Sequence, residues 1–113
     1  MEMVGIGVGI PELTRVAATG NTAVKLSELL ELNEPMRRNN SESPDDPIVS
    51  SAFITCEEFA VRYAFRDDPT QDGFGHLLLP GESIRLVGAE VHICRVISAT
   101  DSEAGVLQIT LYV

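Results

Sequence analysis

Two stretches of this chain alternate apolar and other residues at every second position, and that period restricts what they can form. Phe59, Val61, Tyr63 and Phe65 alternate with Ala60, Arg62 and Ala64. Leu107, Ile109, Leu111 and Val113 alternate with Gln108, Thr110 and Tyr112. In a strand, successive side chains point to opposite faces, so this pattern gives a strand with one face in a core. A helix would scatter the same residues around its circumference. Ile48 to Cys56, rich in β-branched residues, reads as a further strand. Ser83 to Val87 and Glu90 to Ser98 read as two more, joined through Gly88 and Ala89. Pro80-Gly81, Asp72-Gly73 and the segment Asp101 to Gly105 supply turn residues between these runs. Strands spaced by about ten residues, with such turns, predict an all-β fold, a sandwich or barrel.

The first third is less regular. Leu13 to Thr19 fits a short strand, and Ala23 to Leu26 fits another followed by a helical turn over Ser27 to Leu32. Asn33-Glu34-Pro35 stops any helix there. We divide the chain into an N-terminal arm with the first strand (1–22) and a single sandwich domain (23–113) carrying a long polar loop (33–47). That loop holds three prolines, Pro35, Pro44 and Pro47. A structureless loop of this length in a small domain is often functional.

Bulk properties narrow the function. At 113 residues one hydrophobic core suffices, without a disulfide or metal staple. The net charge of −9, from 17 acidic and 8 basic residues, repels phosphate and argues against direct nucleic-acid binding. The apolar start of the chain lacks a basic leader and is too short to span a bilayer, so no membrane role is expected. Cys56 and Cys94 are few for a disulfide scaffold and are expected to be reduced, buried thiols.

Each possible chemical site is weak when read residue by residue. Gly5-Ile6-Gly7-Val8-Gly9 lacks the Lys-Ser/Thr pair and spacing of a phosphate loop. It reads as an arm or edge strand that packs closely on a neighbour. Asp67, Asp68 and Asp72 before Gly73 have the wrong spacing for a calcium loop and no bidentate Glu, so a turn is expected and no metal. His92 is placed in a strand, and His76 at a strand edge, with no nucleophile set beside either. Glu57 and Glu58 beside Cys56 disfavour a thiolate by like-charge repulsion. We therefore expect neither enzyme chemistry nor a cofactor. Partner contacts are expected from Gly5, Gly7 and Gly9 of the arm, from the basic pair Arg37 and Arg38 in the loop, and from Phe74. Phe74 stands between Gly73 and Gly75, either as an interface anchor or as a loop residue folded back over the core, with the second reading slightly preferred. Absence of Trp lowers the expectation of a sugar-stacking platform, though Phe74, Tyr63 and His76 could together make an aromatic patch.

The second half also carries a resemblance. The run Gly75-His76-Leu77-Leu78-Leu79-Pro80-Gly81-Glu82-Ser83-Ile84-Arg85-Leu86-Val87-Gly88 is followed by Val91-His92-Ile93-Cys94-Arg95-Val96-Ile97-Ser98. Ala104-Gly105-Val106-Leu107-Gln108-Ile109-Thr110-Leu111-Tyr112-Val113 then ends the sequence. Over about residues 53–113 this order resembles the C-terminal half of small virion proteins of tailed bacteriophages, with the first run as a strand pair. The resemblance implies an antiparallel β-sandwich, jelly-roll-like, serving as a capsid cement or decoration protein on the virion exterior. It would form homo-oligomers, as trimers, and bind the major capsid protein or other virion proteins. A receptor- or glycan-binding module of a tail fibre or spike is the alternative.

Overall fold

The structure is a computed structural model, and it describes residues 11–30 and 49–113. Eight strands form two antiparallel four-stranded sheets. They are β1 (Pro11–Ala18), β2 (Val24–Lys25), β3 (Ser51–Glu58), β4 (Val61–Phe65), β5 (His76–Leu78), β6 (Ser83–Val87), β7 (Cys94–Ser98) and β8 (Val106–Tyr112). One sheet has the order β1-β8-β3-β6 and the other β2-β7-β4-β5. The pairs β1 with β8, β2 with β7, β3 with β6 and β4 with β5 are nested, as in a long hairpin rolled into two layers. This is the jelly-roll arrangement. Only β4 and β5 are consecutive strands of one sheet; every other connection crosses between layers.

The alternation seen in the sequence builds the core. Leu107, Ile109 and Leu111 of β8 face Ala52, Ile54 and Cys56 of β3 in register within one sheet, and all six are buried. Val61, Leu78, Cys94 and Val96 supply the opposing layer. Leu26 and Leu30 close one end from α1 (Leu26–Leu29) and the residue after it. The helical turn begins where the Glu28 carboxylate accepts the Lys25 backbone N–H at 2.8 Å, satisfying a donor the helix leaves open.

Three sequence expectations change. Glu90 to Ile93 is not strand but part of a second helical turn, α2 (Ala89–Ile93), which carries His92. The chain turns at Gly88, and the Glu90 carboxylate accepts the Val87 N–H at 2.8 Å, so this segment spends its backbone groups locally. Val91 reaches the core from α2, so an apolar residue that alternates like a strand is buried by a helix. Phe59 is not on the core face with Val61; it stands at the corner where the chain leaves one sheet for the other, with φ 55°, and is exposed. The run around Pro80-Gly81 is likewise not a paired hairpin. β5 and β6 lie in opposite sheets, and the turn between them is closed by Glu82 N–H to Leu79 O at 2.9 Å. Gly81 has φ 90°, the third position of a type II turn after Pro80, which glycine adopts without steric cost.

Crossing connections at one end of the sandwich are tied by a buried polar chain. The Thr19 hydroxyl donates to Gly105 O at 3.0 Å and lies 2.8 Å from Ser98 Oγ. The Thr19 and Ser98 N–H groups donate to Gly105 O and Gly20 O at 2.8 and 2.9 Å. Gly105 leaves no room for a side chain: a Cβ there would overlap Cγ1 of Val61 and lie 3.1 Å from Phe59 O. Gly105→Ala is therefore expected to cost about 1–3 kcal/mol by overpacking. A fall in the urea midpoint with unchanged slope checks this.

Candidate interaction surface

Six large apolar side chains are exposed among the described residues, and four of them belong to one edge of the β2-β7-β4-β5 sheet. Leu77 and Leu79 flank the buried Leu78 of edge strand β5 and are each 45 % exposed. Phe59 (43 %) lies at the corner before β4, and the register Val61 to Leu78 brings that corner alongside Leu79. Phe74 (51 %) stands at the other end of β5, on the loop joining it to β4. Together they make an apolar strip that follows an open strand edge.

The loop presenting Phe74 is held from several sides. Its neighbour Thr70 exchanges backbone bonding with it: Thr70 N–H donates to Phe74 O at 2.9 Å, and Phe74 N–H donates to Thr70 Oγ1 at 3.0 Å. The Thr70 hydroxyl in turn donates to Asp72 at 2.6 Å. Asp68 pairs with Arg95 of β7 at 3.0 Å, and Gln71 donates to Asn21 at 3.1 Å. Pro69 is buried beneath the loop. Arg62 of β4 donates to Gly75 O at 3.0 Å. Asp68 and Asp72 thus serve the loop's own structure, in line with the turn reading of that acidic run. A side chain fixed before contact loses less entropy on binding than a mobile one.

His76 of β5 lies with its ring 5.3 Å from that of Tyr63, tilted by 36°. Tyr63 is half-buried against the core, while His76 is exposed on β5. His92 sits in α2, away from β5 in the sequence of elements. Among the described residues no three His, Cys, Asp or Glu side chains gather as a metal set. No described helix is long and apolar enough to cross a membrane. Gly5, Gly7, Gly9, Arg37 and Arg38 lie outside the described residues. Phe74 is the one anticipated contact residue the structure places, and it is exposed as an anchor requires. Leu77, Leu79 and Phe59 were missed because period-two reading assigns apolar residues to a core. The Leu77-Leu78-Leu79 run was the available signal: a strand cannot bury all three on one face.

Cys56 and Cys94 are both unpaired thiols in the core, one in each sheet. Cys56 Sγ donates to Phe59 O at 3.1 Å. Burial pushes the Cys56 thiol up, with Glu57 and Glu82 adding to it. Glu57 thus acts as the sequence suggests, and the second carboxylate is Glu82 across the turn. Burial pushes Cys94 up to about 12, with a smaller contribution from Glu90. The unfolded thiol releases its proton near pH ~8.5. The stability carried by the folded, protonated thiol is therefore complete below that value and falls as pH rises toward 12. The urea midpoint is expected to fall steadily above pH ~9, and to fall less steeply in Cys94→Ala.

Comparison with protein-family models, curated proteins and solved structures finds no match to this chain.

Proposed function

We propose that this chain is a structural virion protein of the capsid cement or decoration type, which binds neighbouring shell subunits by protein–protein contact. The observation that carries the reading is the apolar strip of Phe59, Phe74, Leu77 and Leu79 along β5. Contiguous exposed apolar surface on a soluble domain marks an interaction site. Two further features support it. The described residues build a small rigid sandwich whose open β5 edge can take main-chain hydrogen bonds from a partner strand. Residues 53–113 also carry the resemblance to phage virion proteins. In this reading the partner is the major capsid protein, the chain acts as a trimer, and several modest contacts combine into high avidity. Its location is the capsid exterior, where a net charge of −9 faces away from packaged DNA.

The alternative, a receptor- or glycan-binding module of a fibre or spike, draws on the Tyr63 and His76 rings beside Phe74. Jelly rolls serve both capsids and lectins, so the fold favours neither. The strip favours protein docking, because it interleaves two leucines with its two phenylalanines, and sugars need stacking faces with polar partners.

The test is co-sedimentation of the purified chain with shells assembled from the capsid protein encoded beside it. Wild-type chain is expected to pellet with the shells. Leu77→Ser with Leu79→Ser should abolish pelleting while stability stays within about 0.5 kcal/mol, because both positions are exposed. Phe74→Ala should weaken binding by about 30-fold, the loss typical of an anchor. Absence of a capsid gene beside this one, or wild-type chain that stays in the supernatant, overturns the reading.

A further inference from the structure

We propose that residues 4–10 of one copy add a strand to the free edge of β1 in a second copy, so that the chain self-associates through its N-terminal arm. This goes beyond the docking strip, uses the other sheet, and does not depend on what β5 binds.

Among the described residues, β1 pairs with β8 and nothing else, which leaves its outer edge open. The register shifts between Pro11 and Leu13, and from Leu13 to Ala18 the strand runs regularly. A long regular edge is a template for another strand unless it is blunted by charge, proline or a bulge. Here the proline and the bulge sit at the very start. The one cation in the regular part, Arg15, is turned aside to donate to Leu30 O at 2.7 Å. Val16 is 65 % exposed, more than any other large apolar side chain described. Beside this edge lies a cleft of about 330 Å³ lined by Arg15, Val16, Ala17, Ala18, Leu29 and Leu30. An open backbone edge with room beside it for side chains is what an added strand requires.

Sequence supplies the strand. Val4-Gly5-Ile6-Gly7-Val8-Gly9-Ile10 alternates β-branched residues with glycine. Extended, it has one face of four β-branched side chains and one bare face that permits close backbone approach. Seven residues at about 3.3 Å each span roughly 23 Å, enough to cover Leu13 to Ala18. The segment carries no charge, so two chains of net charge −9 can meet through it without opposing carboxylates.

The same sequence says why the edge belongs to another copy. Residues 4–10 run directly into Pro11, the first residue of β1. Laid along its own β1, the segment would have to spend part of its seven residues on a hairpin turn and could not cover Leu13 to Ala18, whereas the edge of a second copy can take all of it.

Full-length chain in a dilution series by sedimentation velocity tests this without any shell protein. Wild type is expected at a multiple of 12.2 kDa. The arm variant Ile6→Asp with Val8→Asp, and the edge variant Val16→Asp with Ala18→Asp, should each be monomeric and still melt in one cooperative transition, at a temperature that no longer depends on concentration. Mixed, they should associate again, since the intact arm of the second fits the intact edge of the first. Leu77→Ser with Leu79→Ser should leave self-association intact, which separates this proposal from shell docking. Wild type that is monomeric throughout, an arm variant that associates as wild type does, or a mixture that fails to recover would each overturn it.

Discussion

The row Leu107, Ile109 and Leu111 on β8 holds the molecule together, because β8 is paired on both sides and its inner face meets the opposite sheet. Three wholly or nearly buried aliphatic side chains contribute about 1.5–3 kcal/mol each relative to exposure. Their register against Ala52, Ile54 and Cys56 fixes β3, and β3 in turn fixes β6. A slip by one residue would put Gln108 and Thr110 into the core and the aliphatic row into water. The jelly-roll nesting follows from that placement. Once β8 lies between β1 and β3, the connections must cross from layer to layer, and turns such as Pro80-Gly81 become corners.

What the sequence made legible was the part governed by period two. The β8 face, the β3 segment and the turns at Asp72-Gly73 and Pro80-Gly81 stand where alternation and turn chemistry put them. What escaped was set by tertiary position. Val91 alternates like a strand residue, yet α2 buries it, because a short connection between layers had to close the end of the core. Phe59 belongs to the alternation of β4 in sequence and to a corner in space, since the chain changes sheets one residue later. The same blindness hid the exposed strip: nothing in Leu77-Leu78-Leu79 tells which leucine faces inward until the pairing of Leu78 with Val61 is known.

Fold alone leaves function open, since jelly rolls serve shells, lectins and enzymes alike. The proposed docking rests instead on apolar surface left uncovered along β5. The strip lies on an edge strand, beside a loop pinned by Thr70, Asp68 and Gln71, so both its backbone and its side chains are ready for contact. In the interior the two thiols have their pKa values raised by burial and pack as small apolar side chains.

Hydrogen–deuterium exchange on the chain free and bound to assembled shells tests the central claim most directly. The account predicts that binding slows exchange at residues 74–79 and around Phe59, with the interior of β8 unchanged because it is protected in both states. Protection confined to other surfaces, with β5 exchanging as fast as in the free chain, would contradict it.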